Sequence, residues 1–394
     1  MKKFQEQLQQ LEHKNRLRSL CLPAGIDLTS NDYLGFADHP FLRGAAVDAV
    51  SSDMPMGAAA SRLLRGHLNE HHSLERYAAE FFGSESSLFF ATGFQANYAL
   101  FTCLPDRHDI IIFDALIHAS TRDGIRASDA KSIRVAHNDL AGYEAALVKA
   151  RAECTHKSRG QIWIAVESLY SMDGDYPDLA ALYDLAQSYD AMLVIDEAHG
   201  VGVFGARGKG MAEALVAAHG YERIITVYTC GKALGVAGGL ICARADICDY
   251  MVNTSRAFIY STAPMPLQAH LVQKSLELLA SEEGQSRLSQ LQEVSLYMKQ
   301  KLAQSNLPLD TMGWQSQEIV TQILPIILGS DEAAMAAAAA LQEQGFDVRA
   351  IRPPSVPEGT ARLRISFSVN LTTSIIDDFM TALETAIPQK KEAA

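Results

Sequence analysis

Between residues 85 and 245 the chain carries short, uniformly apolar runs at 110–113, 162–166, 192–195, 224–228 and 239–242. A strand with one wet face alternates apolar and polar residues with a period of two; these runs do not, so they read as strands buried on both faces. Helix-compatible stretches separate them at about 94–103, 119–128, 139–153 and 177–190. Only helices laid against both faces satisfy such strands, which predicts an α/β fold with a mainly parallel central sheet flanked by helices. Past residue 280 the pattern changes. A long helix over 281–305, an extended run over 319–328, an alanine-rich helix over 333–340, extended pieces at 347–351 and 362–367, and a helix from Thr373 predict a smaller α+β C-terminal domain. Alanine is the best helix former and Gly345 supplies the stop. Phe4, Leu8 and Leu11 mark one face of an opening helix. The expected division is 1–40 (helix and extended segment), 41–280 (large α/β domain) and 281–394 (small α+β domain).

Several functions are disfavoured at once. The net charge of −12 would repel nucleic acid and anionic membrane surfaces. Cysteines 21, 103, 154, 230, 242 and 248 form no CxxC pair, which predicts free thiols and no metal site. With no secretory h-region and no apolar run long enough to span a bilayer, the expected location is the cytoplasm.

The most conspicuous motif is a decoy. Gly200, Gly202 and Gly205 fit GxGxxG, the mark of a nicotinamide dehydrogenase. A dinucleotide loop, however, follows its strand at once and opens a helix. Here Asp196-Glu197-Ala198-His199 intervene, and Gly208 and Gly210 oppose a helix afterwards. His67, His71 and His72 lack an accompanying acidic or cysteine pattern, so a non-metal role is expected.

In an open α/β sheet, ligands bind beyond the carboxyl ends of the strands. Asp196 closes one predicted strand and His199 follows. A carboxylate there is either a helix cap or the partner of a protonated heteroaromatic nitrogen in an electron-sink cofactor. One βα unit later comes Thr229-Cys230-Gly231-Lys232. Most lysines are surface charges, but one between Gly and Ala just past a buried strand is suited, once desolvated, to form a Schiff base. Upstream, Thr92-Gly93-Phe94-Gln95-Ala96-Asn97 joins an apolar run to a helix, whose N-terminal amides suit a phosphate.

Taken in order, these segments, with Ser30-Asn31-Asp32-Tyr33-Leu34-Gly35, His118-Ala119-Ser120 and Ser171-Met172-Asp173-Gly174-Asp175, resemble the α-oxoamine synthase group of pyridoxal-phosphate (PLP) enzymes of fold type I, the aspartate aminotransferase-like fold. The resemblance spans about residues 28–380. Arg352-Pro353-Pro354-Ser355-Val356-Pro357 through Arg364, and Phe258-Ile259-Tyr260-Ser261-Thr262, look like the branch that condenses L-alanine with a pimeloyl thioester to 8-amino-7-oxononanoate in biotin synthesis. A branch using glycine, such as 2-amino-3-ketobutyrate CoA ligase, is the neighbouring alternative.

The resemblance implies PLP as cofactor and a role for each matching residue. Lys232 would link to the cofactor and shuttle a proton, Asp196 would pair with its ring nitrogen, His199 with its phenolic oxygen, and His118 would stack on its ring. Gly93, Phe94, Ser171 and Thr229 would complete the cofactor site. Arg364 and Ser355 would meet the amino acid, with Asn31 and Glu167 lining the site and Arg18 as the best match to an N-terminal substrate arginine. A homodimer is implied, with Thr262 reaching the neighbouring subunit's phosphate. The acyl carrier is coenzyme A or an acyl carrier protein.

Overall fold

The computed structural model describes residues 2–155, 160–305 and 307–387. It divides into two compact units: residues 34–170 with 176–288, and residues 1–33 with 171–175 and 289–394.

The larger unit is built on a seven-stranded sheet in the order Ser86–Phe90, Gly239–Ala243, Ile224–Thr229, Ala191–Asp196, Ile162–Glu167, Ile110–Asp114, Lys131–Val135. Gly239–Ala243 runs antiparallel to both neighbours and the remaining pairs are parallel. Both faces are buried, as the uniform apolar runs require. Leu88, Ile111, Trp163, Val194, Ile225 and Ile241 point to one side, into a core shared with Ala96, Leu100 and Phe101 of helix Gly93–Cys103. The intervening Phe89, Ile112, Ile164, Leu193 and Leu240 are 0–1% exposed on the other side. Each fully buried apolar side chain contributes about 1.5–3 kcal/mol, so neither face tolerates exposure.

The predicted helices appear as Gly93–Cys103, Ala119–Ala127, Leu140–Thr155 and Leu179–Ser188. Lys131–Val135 was not anticipated. It is an edge strand with Lys131, Ser132 and Arg134 exposed, and charge on an edge hides strand character while preventing edge-to-edge pairing.

The smaller unit holds a three-stranded antiparallel sheet, Ala350–Ile351, Ala361–Ser366 and Ile323–Gly329. The run expected at 319–328 starts only at Ile323. That expected at 347–351 is two short pieces, because Phe346–Asp347 pairs instead with Ile26–Asp27. Helices Asp331–Glu343 and Thr373–Ala386 bury Ala337, Leu341, Ile376 and Phe379. Helix Lys2–His13 leaves Phe4, Leu8 and Leu11 exposed. Among the described residues, no helix is long and apolar enough to cross a membrane.

Candidate active site

Four parallel strands of the larger unit end in polar residues: Asp114, Glu167, Asp196 and Thr229. Past the last three lies a cavity of about 260 Å³, lined also by Thr92, Gly93, Phe94, Asn97, His118, Ser120 and Lys232.

Helix Gly93–Cys103 aims its N-terminus at this cavity. Thr92 caps it, its hydroxyl oxygen accepting the Gln95 N–H at 3.1 Å and its carbonyl the Ala96 N–H at 3.1 Å. The Gly93 and Phe94 amides are left outside the intrahelical pattern. A Cβ on Gly93 would sit 2.1 Å from Thr229 Oγ1, so only glycine lets the helix start lie against the end of strand Ile224–Thr229. Free amides, helix dipole and a threonine hydroxyl together form a phosphate-sized anion seat.

Beyond Thr229 the chain closes a tight loop. The Cys230 N–H donates to the Gly238 carbonyl and the Val236 N–H to the Cys230 carbonyl, each at 2.9 Å. This holds Lys232 half-buried, its Nζ 2.8 Å from Nε2 of buried His199. As an ammonium, Lys232 has only protons to offer, so the imidazole accepts through its Nε2 lone pair.

Asp196 is 5% exposed and held at both oxygens. Its Oδ1 accepts the Ala198 N–H at 2.9 Å and its Oδ2 the Asn97 side-chain amide at 2.6 Å. Turns rather than a helix follow Asp196, so it does not cap one. Glu167 stands beside it in register. Burial first, and then the Asp196 charge, push the Glu167 carboxyl well above the ordinary range. Burial likewise lowers the His118 pKa and favours the neutral ring.

The glycine-rich stretch after His199 wraps a side chain of its own protein. Buried Glu197 accepts the Ser168 hydroxyl at 2.7 Å, the Ala212 N–H at 2.6 Å and the Met211 N–H at 3.2 Å. Any Cβ on Gly200 or Gly210 would collide with that carboxylate. Burial pushes the Glu197 carboxyl up to about 7. His71 is likewise structural, with Nδ1 accepting the Leu68 N–H and Nε2–H donating to the Pro264 carbonyl.

The remaining sequence-derived candidates are not among the residues that line this cavity. Thr262 is exposed, bridged to Ser61, and does not line the cavity. Ser171 belongs to the smaller unit, where its carbonyl accepts the Arg364 Nε–H. Arg364 also donates to Ser366 Oγ at 2.7 Å and Asn31 Oδ1 at 2.9 Å. Arg18 reaches Ser355 Oγ at 3.2 Å. Arg18 borders a second cavity, about 580 Å³, whose apolar lining includes Leu8, Leu11, Leu17, Pro353 and Val356. Sequence reasoning assigned nothing to Asn97, Ser120 or Glu197. The signal for Asn97 was available: an amide one turn past Gly93, beside the apolar Ala96, Ala99, Leu100 and Phe101 of the same helix.

Architecture and site together define an enzyme of the aminotransferase type, and the family model for aminotransferase class I and II matches residues 23–383. The chain belongs to that family, as the expected fold type implied. Within it the chain belongs with the 8-amino-7-oxononanoate synthases: that of Polaromonas naphthalenivorans (strain CJ2) is 40% identical over 91% of this chain and 86% of the relative. That of Geobacter sulfurreducens is 36% identical, covering 96% of each. A solved 8-amino-7-oxononanoate synthase from Francisella tularensis is 25% identical with a TM-score of 0.73, covering 92% of this chain and 97% of that one. Serine palmitoyltransferase of Sphingomonas wittichii is 27% identical with a TM-score of 0.83, covering 92% and 87%.

Proposed function

We propose that this chain is a PLP-dependent acyltransferase that joins L-alanine to a pimeloyl thioester, releasing carbon dioxide, free thiol and 8-amino-7-oxononanoate, a step of biotin synthesis. The observation that carries the reading is the Lys232 amine, 2.8 Å from His199, in a cavity that also holds Asp196, His118 and a helix N-terminus.

The residues fit the cofactor. Gly93, Phe94 and Thr229 suit its phosphate, for the cradle admits no Cβ at 93; Asp196 suits the ring nitrogen, His199 the phenolic oxygen and His118 the ring face. PLP, when bound, draws electrons away from the Cα bond that breaks. Asp196 keeps the ring nitrogen protonated, its own orientation fixed by Ala198 and Asn97. Lys232 holds the cofactor, then takes the Cα proton and returns it, a general-base contribution of about 10²–10⁴-fold. Arg364, with Asn31, takes the amino-acid carboxylate, and Ser171 and Ser355 complete that side. Arg18, beside an apolar cavity, suits the acyl donor, whether its carrier is coenzyme A or an acyl carrier protein.

The protein acts in the cytoplasm as a homodimer, with Thr262 of one copy serving the phosphate seat of the other. Exposed Leu64 and Tyr260, at 78% and 74%, suit such a covered face.

Incubating the protein with PLP, L-alanine and pimeloyl-coenzyme A should give the product mass of 8-amino-7-oxononanoate, and Lys232→Ala should abolish turnover. Product only from glycine and a short thioester would assign the chain to the neighbouring branch instead. Near-normal turnover by the variant would refute the site.

A further inference from the structure

Asn97 lies on the first turns of helix Gly93–Cys103, 2% exposed, and its side-chain amide has two protons to donate. One goes to Asp196 Oδ2 at 2.6 Å, the other to Ser120 Oγ at 3.1 Å. The reverse amide orientation would set oxygen against carboxylate, so this one is imposed. Ser120 Oγ, now an acceptor, sends its own proton to His118 Nδ1 at 2.8 Å. The Ser120 main-chain N–H also points to that nitrogen, at 3.2 Å, which leaves the imidazole proton on Nε2. Donation runs outward from Asn97, to the carboxylate on one side and through Ser120 to His118 on the other. Asn97 Oδ1, meanwhile, is buried with no partner among the described residues. An unsatisfied acceptor is costly, and the arrangement tolerates it to keep both amide protons where they are.

We propose that Asn97 and Ser120 are positioning residues that tie the Asp196 carboxylate and the His118 ring into one hydrogen-bonded unit, fixing the carboxylate's orientation and the imidazole's tautomer together. The proposal rests on the reading of Asp196 and His118 as cofactor-contacting groups. Charges bearing on the His118 ring are those of Asp196, Lys232, Arg122 and Asp123, and Glu167 faces Asp196 from the neighbouring strand. Neither Asn97 nor Ser120 is a catalytic residue in this scheme; each acts through the group it holds.

The test uses the full chain in two forms. In cofactor-free protein with ¹⁵N-labelled histidine, His118 (assigned with His118→Gln) should show the Nε2–H tautomer in the wild type and a shifted Nδ1 resonance in Ser120→Ala, where only the main-chain N–H still donates to that nitrogen. In the PLP-loaded protein, Asn97→Ala should lower kcat about 10–100-fold, the loss expected of a hydrogen bond to a charged group. The alanine KM should stay within about threefold, and the pH midpoint of the visible cofactor band should move. Asn97→Ala/Ser120→Ala should be little worse than Asn97→Ala, because a chain already cut loses little from a second cut. An unmoved Nδ1 resonance in Ser120→Ala, or additive losses with an unmoved band, would overturn the proposal. Asn97→Gln, which keeps the amide but moves it, should restore less than tenfold. Should wild-type protein form no borohydride-trappable link between PLP and Lys232, the reading of the site itself fails and takes this unit with it. A trapped link with wild-type-like variants removes the proposal alone.

Discussion

Replacing Gly93 by alanine probes the anion seat with one methyl group. Its Cβ would lie 2.1 Å from Thr229 Oγ1, more than an ångström inside the ordinary contact distance of 3.4 Å. The obstacle is a half-buried side chain at a strand end, so the helix start or the threonine must move. Overpacking of this kind costs about 1–3 kcal/mol. Displacing the hydroxyl and the first-turn amides should weaken PLP binding by about 10–100-fold, the equivalent of one charge-assisted hydrogen bond. A second change separates the two effects. Thr229→Ala removes Oγ1 and leaves the nearest atom, Thr229 Cβ, at 3.2 Å, close enough for a small adjustment. Gly93→Ala/Thr229→Ala should therefore regain most of the lost stability while PLP binding stays weak, since the hydroxyl is gone. Urea unfolding gives the first quantity, and fluorescence titration of cofactor-free protein with PLP the second. If Gly93→Ala matches the wild type in both, or if the double variant adds the two losses, the close-packed seat is refuted.

Burial raises the Glu197 carboxyl from 4.5 in the unfolded chain to about 7 in the fold. The stability it contributes is thus fully present below pH 4.5 and lost as pH rises through 7, by roughly 3 kcal/mol in all. Glu197→Gln should flatten that part of the pH dependence, measured by urea midpoints at pH 5 and pH 8. Burial favours the neutral form of the Glu167 carboxyl; Glu167→Gln should accordingly turn over within about threefold of wild type, and a hundredfold loss would show that the ionised form is needed. In the smaller unit Arg362 and Asp173 form a buried ion pair, 2% and 5% exposed. Asp173→Ala leaves that guanidinium without its counter-charge and should cost about 3–5 kcal/mol, read as a lowered urea midpoint.

The strands at 110, 162, 192 and 224 were legible because each is buried on both faces, leaving hydrophobicity unbroken along the chain. Lys131–Val135 was not, because an edge strand needs only its backbone to pair and its side chains face water. The same contrast holds at the site. Lys232, Asp196, His199, His118, Gly93 and Thr229 announce themselves as polar or glycine residues near strand ends; all but His199 line one cavity, and His199 meets Lys232 beside it. What local sequence does not carry is which distant side chain holds them. Asn97 meets Asp196 across 99 positions, a pairing that only the packing of helix Gly93–Cys103 on the sheet decides. Thr262, Arg18, Ser171 and Arg364 are not among that cavity's lining residues, and their assignments are proposals drawn from the resemblance.

The glycines from 200 to 210 have a bearing on how such chains are recognised from pattern alone. Main-chain N–H groups gathered around a carboxylate are what a nucleotide phosphate seeks, yet here the acceptor is covalently part of the chain. A dinucleotide would first have to evict Glu197 into water and leave its three donors to be satisfied anew. A loop of this composition therefore advertises affinity for negative charge without saying whose, and in this protein the berth is taken before any ligand arrives.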